Sequence, residues 1–116
     1  MDMNTTNNEY IDPGEALSRV GGNVNLYKRL LGSFVNGTLY QDLLSAIERG
    51  ELEEATRHAH SIKGVSANLS LPKVRAVSVE LEQQLKDNTD YASSLDELKL
   101  AYDATITQIT QYMDNN

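Results

Sequence analysis

His58 and His60 are the only histidines, cysteine is absent, and no serine sits in a Gly-x-Ser-x-Gly elbow. Triad-type hydrolysis has no support, because it needs a base and an orienting acid held beside such a nucleophile. The chain has no Gly-x-x-x-x-Gly-Lys-Ser/Thr loop and no kinase-like glycine loop, so it has no visible means of binding ATP. Any phosphoryl group it handles must come from elsewhere. Residues two apart on a helix do not face each other, and no Glu-x-x-His pair is present, so neither a zinc nor a di-iron site is expected.

The two histidines separate on a helical wheel. Leu52, Ala55, Ala59, Ile62 and Ser66 form one stripe, and His60 lies roughly 130° from its centre at about 100° per residue. His60 should therefore face solvent. His58 falls nearer the stripe, where a boundary histidine packing its ring is the expected role. Lys63 and Gly64 follow His60 by three and four residues, with Ala67 one turn later on the same patch. A glycine inside a helix costs about 1 kcal/mol relative to alanine, so Gly64 asks for a reason. One reason is room for a partner or a phosphoryl group beside the imidazole. Lys63 is expected as an exposed, mobile ammonium able to sit against such a group, which carries about −1.5 to −2 charge. An exposed imidazole is largely neutral at pH 7 and keeps a ring nitrogen free to act as nucleophile.

The elements that must position these residues read as helices. Asp12-Pro13-Gly14-Glu15 supplies a cap, a proline at the first helical position and an early acid, and Gly21-Gly22 closes that short helix. Val24, Tyr27, Leu30, Leu31, Phe34 and Val35 carry the next stripe until Asn36-Gly37-Thr38 predicts a break. Tyr40, Leu43, Leu44 and Ile47 continue to Gly50, and the stripe of the histidine helix follows. Ser70-Leu71-Pro72 is expected to start another helix, with Ser70 in the cap and Val74, Val77, Leu81 and Leu85 on the buried edge. After the turn Asp87-Asn88-Thr89, the positions Leu95, Leu98, Tyr102, Thr105, Ile109 and Tyr112 predict a long final helix. Strand signals are absent. The expected fold is all-α: an antiparallel up-down four-helix bundle over residues 11–116, with the short first helix across one end and residues 1–10 as a loose polar tail.

A chain of 116 residues is one ordinary domain, and a net charge of −7 is the wrong sign for neutralising nucleic-acid phosphates. No stretch is long and apolar enough to span a bilayer, and the start lacks the pattern of a secretory signal, so a cytoplasmic protein without membrane attachment is the simplest expectation. Within this acidic chain, residues 55–79 contain no acid but hold Arg57, Lys63, Lys73 and Arg75. This basic strip brackets His60 and would steer an acidic partner site toward it, with Arg57 and Ala67 as contact residues.

On composition and spacing alone three readings stay open: phosphoryl transfer through His60, a helical docking module that accepts no phosphate, and a metal-dependent enzyme. The stretch Ala59-His60-Ser61-Ile62-Lys63-Gly64-Val65-Ser66-Ala67-Asn68-Leu69 resembles the signature of histidine-containing phosphotransfer (Hpt) domains, the four-helix modules of multistep phosphorelays. The similarity extends upstream through Ala16-Leu17, Gly21-Gly22, Leu26-Tyr27, Leu30-Leu31 and Phe34, and downstream to Leu81-Glu82. It departs at Ser70, where many members have glycine, which bears on the local turn. The resemblance implies that His60 is the phosphoacceptor, that Lys63 stabilises the phosphorylated form, and that Gly64 opens space beside the ring. It also implies a stoichiometric carrier without autokinase activity or a cofactor of its own. Its partners would be response-regulator receiver domains, which supply Mg²⁺, and a hybrid sensor histidine kinase; the carrier itself is expected to be a monomer.

Overall fold

The computed structural model describes residues 9–115, and the expected tail therefore lies mostly outside the described residues. Six helices follow one another: α1 (Pro13–Arg19), α2 (Val24–Asn36), α3 (Leu39–Glu48), α4 (Leu52–Leu69), α5 (Pro72–Asp87) and α6 (Ala92–Asn115). Among the described residues there is no strand, and no helix is long and apolar enough to cross a membrane. The helix boundaries follow local chemistry. The Asp12 carboxylate accepts from the Glu15 amide at 3.3 Å, Pro13 opens α1, and Gly21 and Gly22 take the left-handed conformation that ends it. The Asn23 side chain caps α2 by accepting from the Leu26 amide at 3.0 Å. The expected break at Asn36-Gly37-Thr38 separates α2 from α3. Gly37 is extended there, and a Cβ on it would come within 2.9 Å of the Ser33 carbonyl oxygen.

α4 lies at the centre, touching α1, α2, α3 and α5, while α6 packs on α5 and α2. Its inward residues Ala55, Ala59, Ile62, Ser66 and Leu69 are all buried, as the stripe requires. They meet Leu31, Leu43, Leu71, Val74, Leu81, Leu98 and Ile109 in a single core. Tyr102 of α6 stacks on Tyr40 with centroids 3.9 Å apart and meets Phe34 at 5.8 Å, and Tyr112 meets Tyr27 edge-on at 5.7 Å. These pairs fasten the last helix to α2 and α3. The α2 stripe is narrower than its apolar pattern suggests, because Val24 and Leu30 are exposed while Tyr27, Leu31 and Phe34 are buried.

The α4–α5 corner corrects one expectation. Ser70 does not cap α5; it ends α4 in the left-handed conformation at φ 58°, and Leu71 precedes Pro72 without a side-chain cap. A glycine adopts that conformation without cost. Here the serine is held by what surrounds it. Its hydroxyl accepts from Arg19, whose guanidinium also donates to the Ala67 carbonyl at 2.8 Å and the Asn68 carbonyl at 3.4 Å. The buried Tyr27 hydroxyl donates to the Leu69 carbonyl at 2.8 Å. Side chains of α1 and α2 thus satisfy the open carbonyls at the end of the helix that carries both histidines.

Candidate functional site

His60 stands on the outer face of α4, with about two-thirds of its side chain exposed, as the wheel predicts. It is not a loose surface ring. Nδ1 lies 2.9 Å from Oε2 of Glu82, which reaches across from α5. Glu82 is buried, and three cationic or donor groups surround its carboxylate: His60, Lys63 with Nζ 2.8 Å from Oε1, and Lys86 with Nζ 3.4 Å from Oε2. Burial by itself would raise this carboxyl's pKa. Hydrogen bonds from Lys63 and His60, together with the charges of Lys63 and Lys86, outweigh it and hold Glu82 below the ordinary carboxylate value. An ionised carboxylate only accepts, so Nδ1 of His60 is the donor in this contact, and Nε2 faces away from it with no partner among the described residues.

Lys63 differs from its expectation. Its side chain is two-thirds covered and bound to Glu82 rather than free in solvent. The basic strip is also less positive than its sequence implies, since Glu82 enters it from α5 and Lys73 lies 3.5 Å from Glu9. At Gly64 a Cβ built on the backbone finds nothing within 4 Å. Among the described residues no packing forbids a side chain at that position. Arg57 is exposed one turn before His60 and borders a hollow that Lys86 of α5 also lines. Ala67 is half-buried, with its carbonyl taken by Arg19. His58 keeps to its boundary role, 22% exposed and 3.4 Å from Glu54. On the other flank of α4 an apolar groove of about 360 Å³ runs between Leu30, Phe34, Leu39, Val65 and Asn68.

The central pattern is therefore an outward imidazole with one nitrogen fixed by a buried carboxylate, a lysine on that same carboxylate, and open space one helical turn on. The family model of the Hpt domain matches residues 36–108, well over half of the chain. This chain belongs to the Hpt domain family. Hpt domains transfer phosphoryl groups on histidine in phosphorelays, act as carriers rather than enzymes, and interact with receiver domains and kinases. The match takes in α3, α4, α5 and most of α6, and it begins at the last residue of α2. The upstream likeness from Ala16 to Phe34 lies outside it. Neither the curated proteins nor the solved structures gave a match.

Glu82 is the residue that sequence reasoning left out of this Hpt site. It stands 22 positions after His60 on a different helix. One signal was available, because Val74, Ser78, Glu82 and Leu85 follow helical spacing and all four are buried. A carboxylate on such a line needs cationic partners, though the line does not say which helix provides them.

Proposed function

We propose that His60 accepts a phosphoryl group from the phospho-aspartate of one receiver domain and passes it to the aspartate of another, in two-component signalling. The Nε2 lone pair attacks phosphorus. An N–P bond forms as the P–O bond to the aspartyl group breaks, and that carboxylate leaves with the electron pair. The Nδ1 proton stays in its hydrogen bond to Glu82, whose charge stabilises the ring as it becomes cationic. Delivery is the reverse: an aspartate oxygen attacks phosphorus and the neutral imidazole leaves. Lys63 stabilises the phosphorylated form, and Gly64 leaves room for the incoming receiver. Arg57 and Ala67 lie one turn before and two turns after His60 on α4 and contact that partner, with the apolar groove beside Val65 on the adjoining flank.

In this reading the chain is a monomeric cytoplasmic carrier built as an up-down bundle, with no ATP site and no autokinase step. The receiver brings Mg²⁺, and a hybrid sensor kinase is the original phosphoryl source. What carries the reading is an exposed His60 whose Nδ1 is anchored on Glu82 and whose Nε2 has no partner among the described residues, in a chain of the Hpt family. Incubation with a phosphorylated receiver and Mg²⁺ tests it. Label should move to an acid-labile, base-stable linkage in the wild type and not in His60→Gln. Equal labelling of both would remove His60 from the role. Absent labelling with partner binding that survives His60→Ala would instead show a docking module.

A further inference from the structure

Glu82 has two ammonium groups where one would balance its charge. Lys63 approaches Oε1 from α4, while Lys86 approaches Oε2 from one turn along α5 itself. A glutamate four residues before a lysine is the favourable order on a helix, so the Lys86 contact needs nothing from α4. The two lysines differ in burial, with Lys63 one-third exposed and Lys86 more than half exposed. Across the seam, Lys86 borders the same hollow as Glu53 and Arg57 of α4.

Phosphorylated His60 would put a second anion on the far side of the ring from Glu82. Lys63, one turn after His60 on α4, already pairs with Glu82 and cannot fully serve both anions. His60 keeps its Nδ1 hydrogen bond to Oε2, but taking the only ammonium from a buried carboxylate is still unfavourable. We propose that Lys86 is the resident counter-ion of Glu82, and that it frees Lys63 to move from the carboxylate to the phosphoryl group once His60 is modified. Lys86 is thus a positioning residue that acts through Glu82 and Lys63. The inference rests on His60 as the phosphoacceptor. It extends that reading to an exchange of ion pairs in which no covalent bond changes.

The test uses the full chain with ¹⁵N-labelled lysine, phosphorylated by the small-molecule donor phosphoramidate so that no receiver is required. In the wild type the Lys63 ammonium signal should shift on phosphorylation while Lys86 stays with Glu82. In Lys86→Met, Lys63 should remain on Glu82 and the phosphohistidine half-life should fall about two- to fivefold, the range of a partly exposed ion pair. Lys86→Arg should keep the wild-type half-life. In a Glu82→Gln background the Lys86→Met change should have no further effect, because a neutral amide no longer holds Lys63. A wild-type half-life in Lys86→Met with an unchanged Lys63 response overturns the exchange and leaves the relay standing. So does a shortened half-life that persists in the Glu82→Gln background. Labelling by phosphoramidate but never by a receiver defeats the relay and leaves the exchange intact, and a His60 that phosphoramidate cannot label overturns both.

Discussion

Gly64 offers a prediction in which stability and function move in opposite directions. It is the thirteenth residue of the 18-residue helix α4, it is exposed, and a Cβ there would meet nothing within 4 Å. Gly64→Ala should therefore collect the ordinary helix-interior gain of about 0.8–1 kcal/mol. In a domain of this size that is a rise in Tm of about 4 °C. Gly64→Gln should keep much of the gain, since glutamine is also a good helix former. Transfer from a receiver should fall, slightly for alanine and by about tenfold or more for glutamine, because displacing a docked partner by an ångström is enough to misalign an in-line transfer. Phosphoramidate labelling of His60 should be little affected, because that donor is small. Thermal unfolding followed by circular dichroism, together with single-turnover transfer, reads both quantities. Wild-type transfer by the glutamine variant would refute the clearance reasoning, and a loss of stability in Gly64→Ala would show that the fold itself needs the glycine.

Further outcomes follow from the same contacts. Lys63→Met should shorten the phosphohistidine half-life and cost about 1–2 kcal/mol in urea unfolding, since it removes a charged hydrogen bond from a buried carboxylate; no change in either would assign the lysine to neither role. Because Glu82 is held below its ordinary value of 4.5, its share of stability is complete above that pH and is lost as pH falls through the depressed folded value. The acid limb of the stability profile should accordingly be shallower in Glu82→Gln, and an identical limb would contradict the ion cluster. Tyr27→Phe removes the hydroxyl from the Leu69 carbonyl and should cost about 1–3 kcal/mol with His60 still labelled, a result that unfolding and labelling together would check.

How far the sequence reached depended on how local each determinant was. Asp12, Pro13, Gly37 and Gly50 act within a turn of their own positions, so the ends of α1, α2 and α3 were legible. The placement of His60 and Gly64 followed from one helical period. Ser70 was misread because an isolated serine before a proline resembles a cap. In its left-handed conformation it meets Arg19, 51 residues away, which also holds the neighbouring carbonyls. Lys63 was expected in solvent for a similar reason: its partner Glu82 becomes a neighbour only through the register of α4 against α5, which no single-helix pattern encodes. Val24 and Leu30 show the converse error, as apolar residues at helical spacing stayed exposed, with no helix among the described residues covering them.

The central claim, that Nε2 of His60 receives the phosphoryl group while Nδ1 stays on Glu82, has one direct measurement. Ring-¹⁵N histidine protein, phosphorylated by a receiver with Mg²⁺, can be read by ¹⁵N and ³¹P NMR for the nitrogen that bears phosphorus. The predicted spectrum has phosphorus coupled to Nε2 and a proton retained on Nδ1. Phosphorus on Nδ1, or on any residue other than His60, would contradict it.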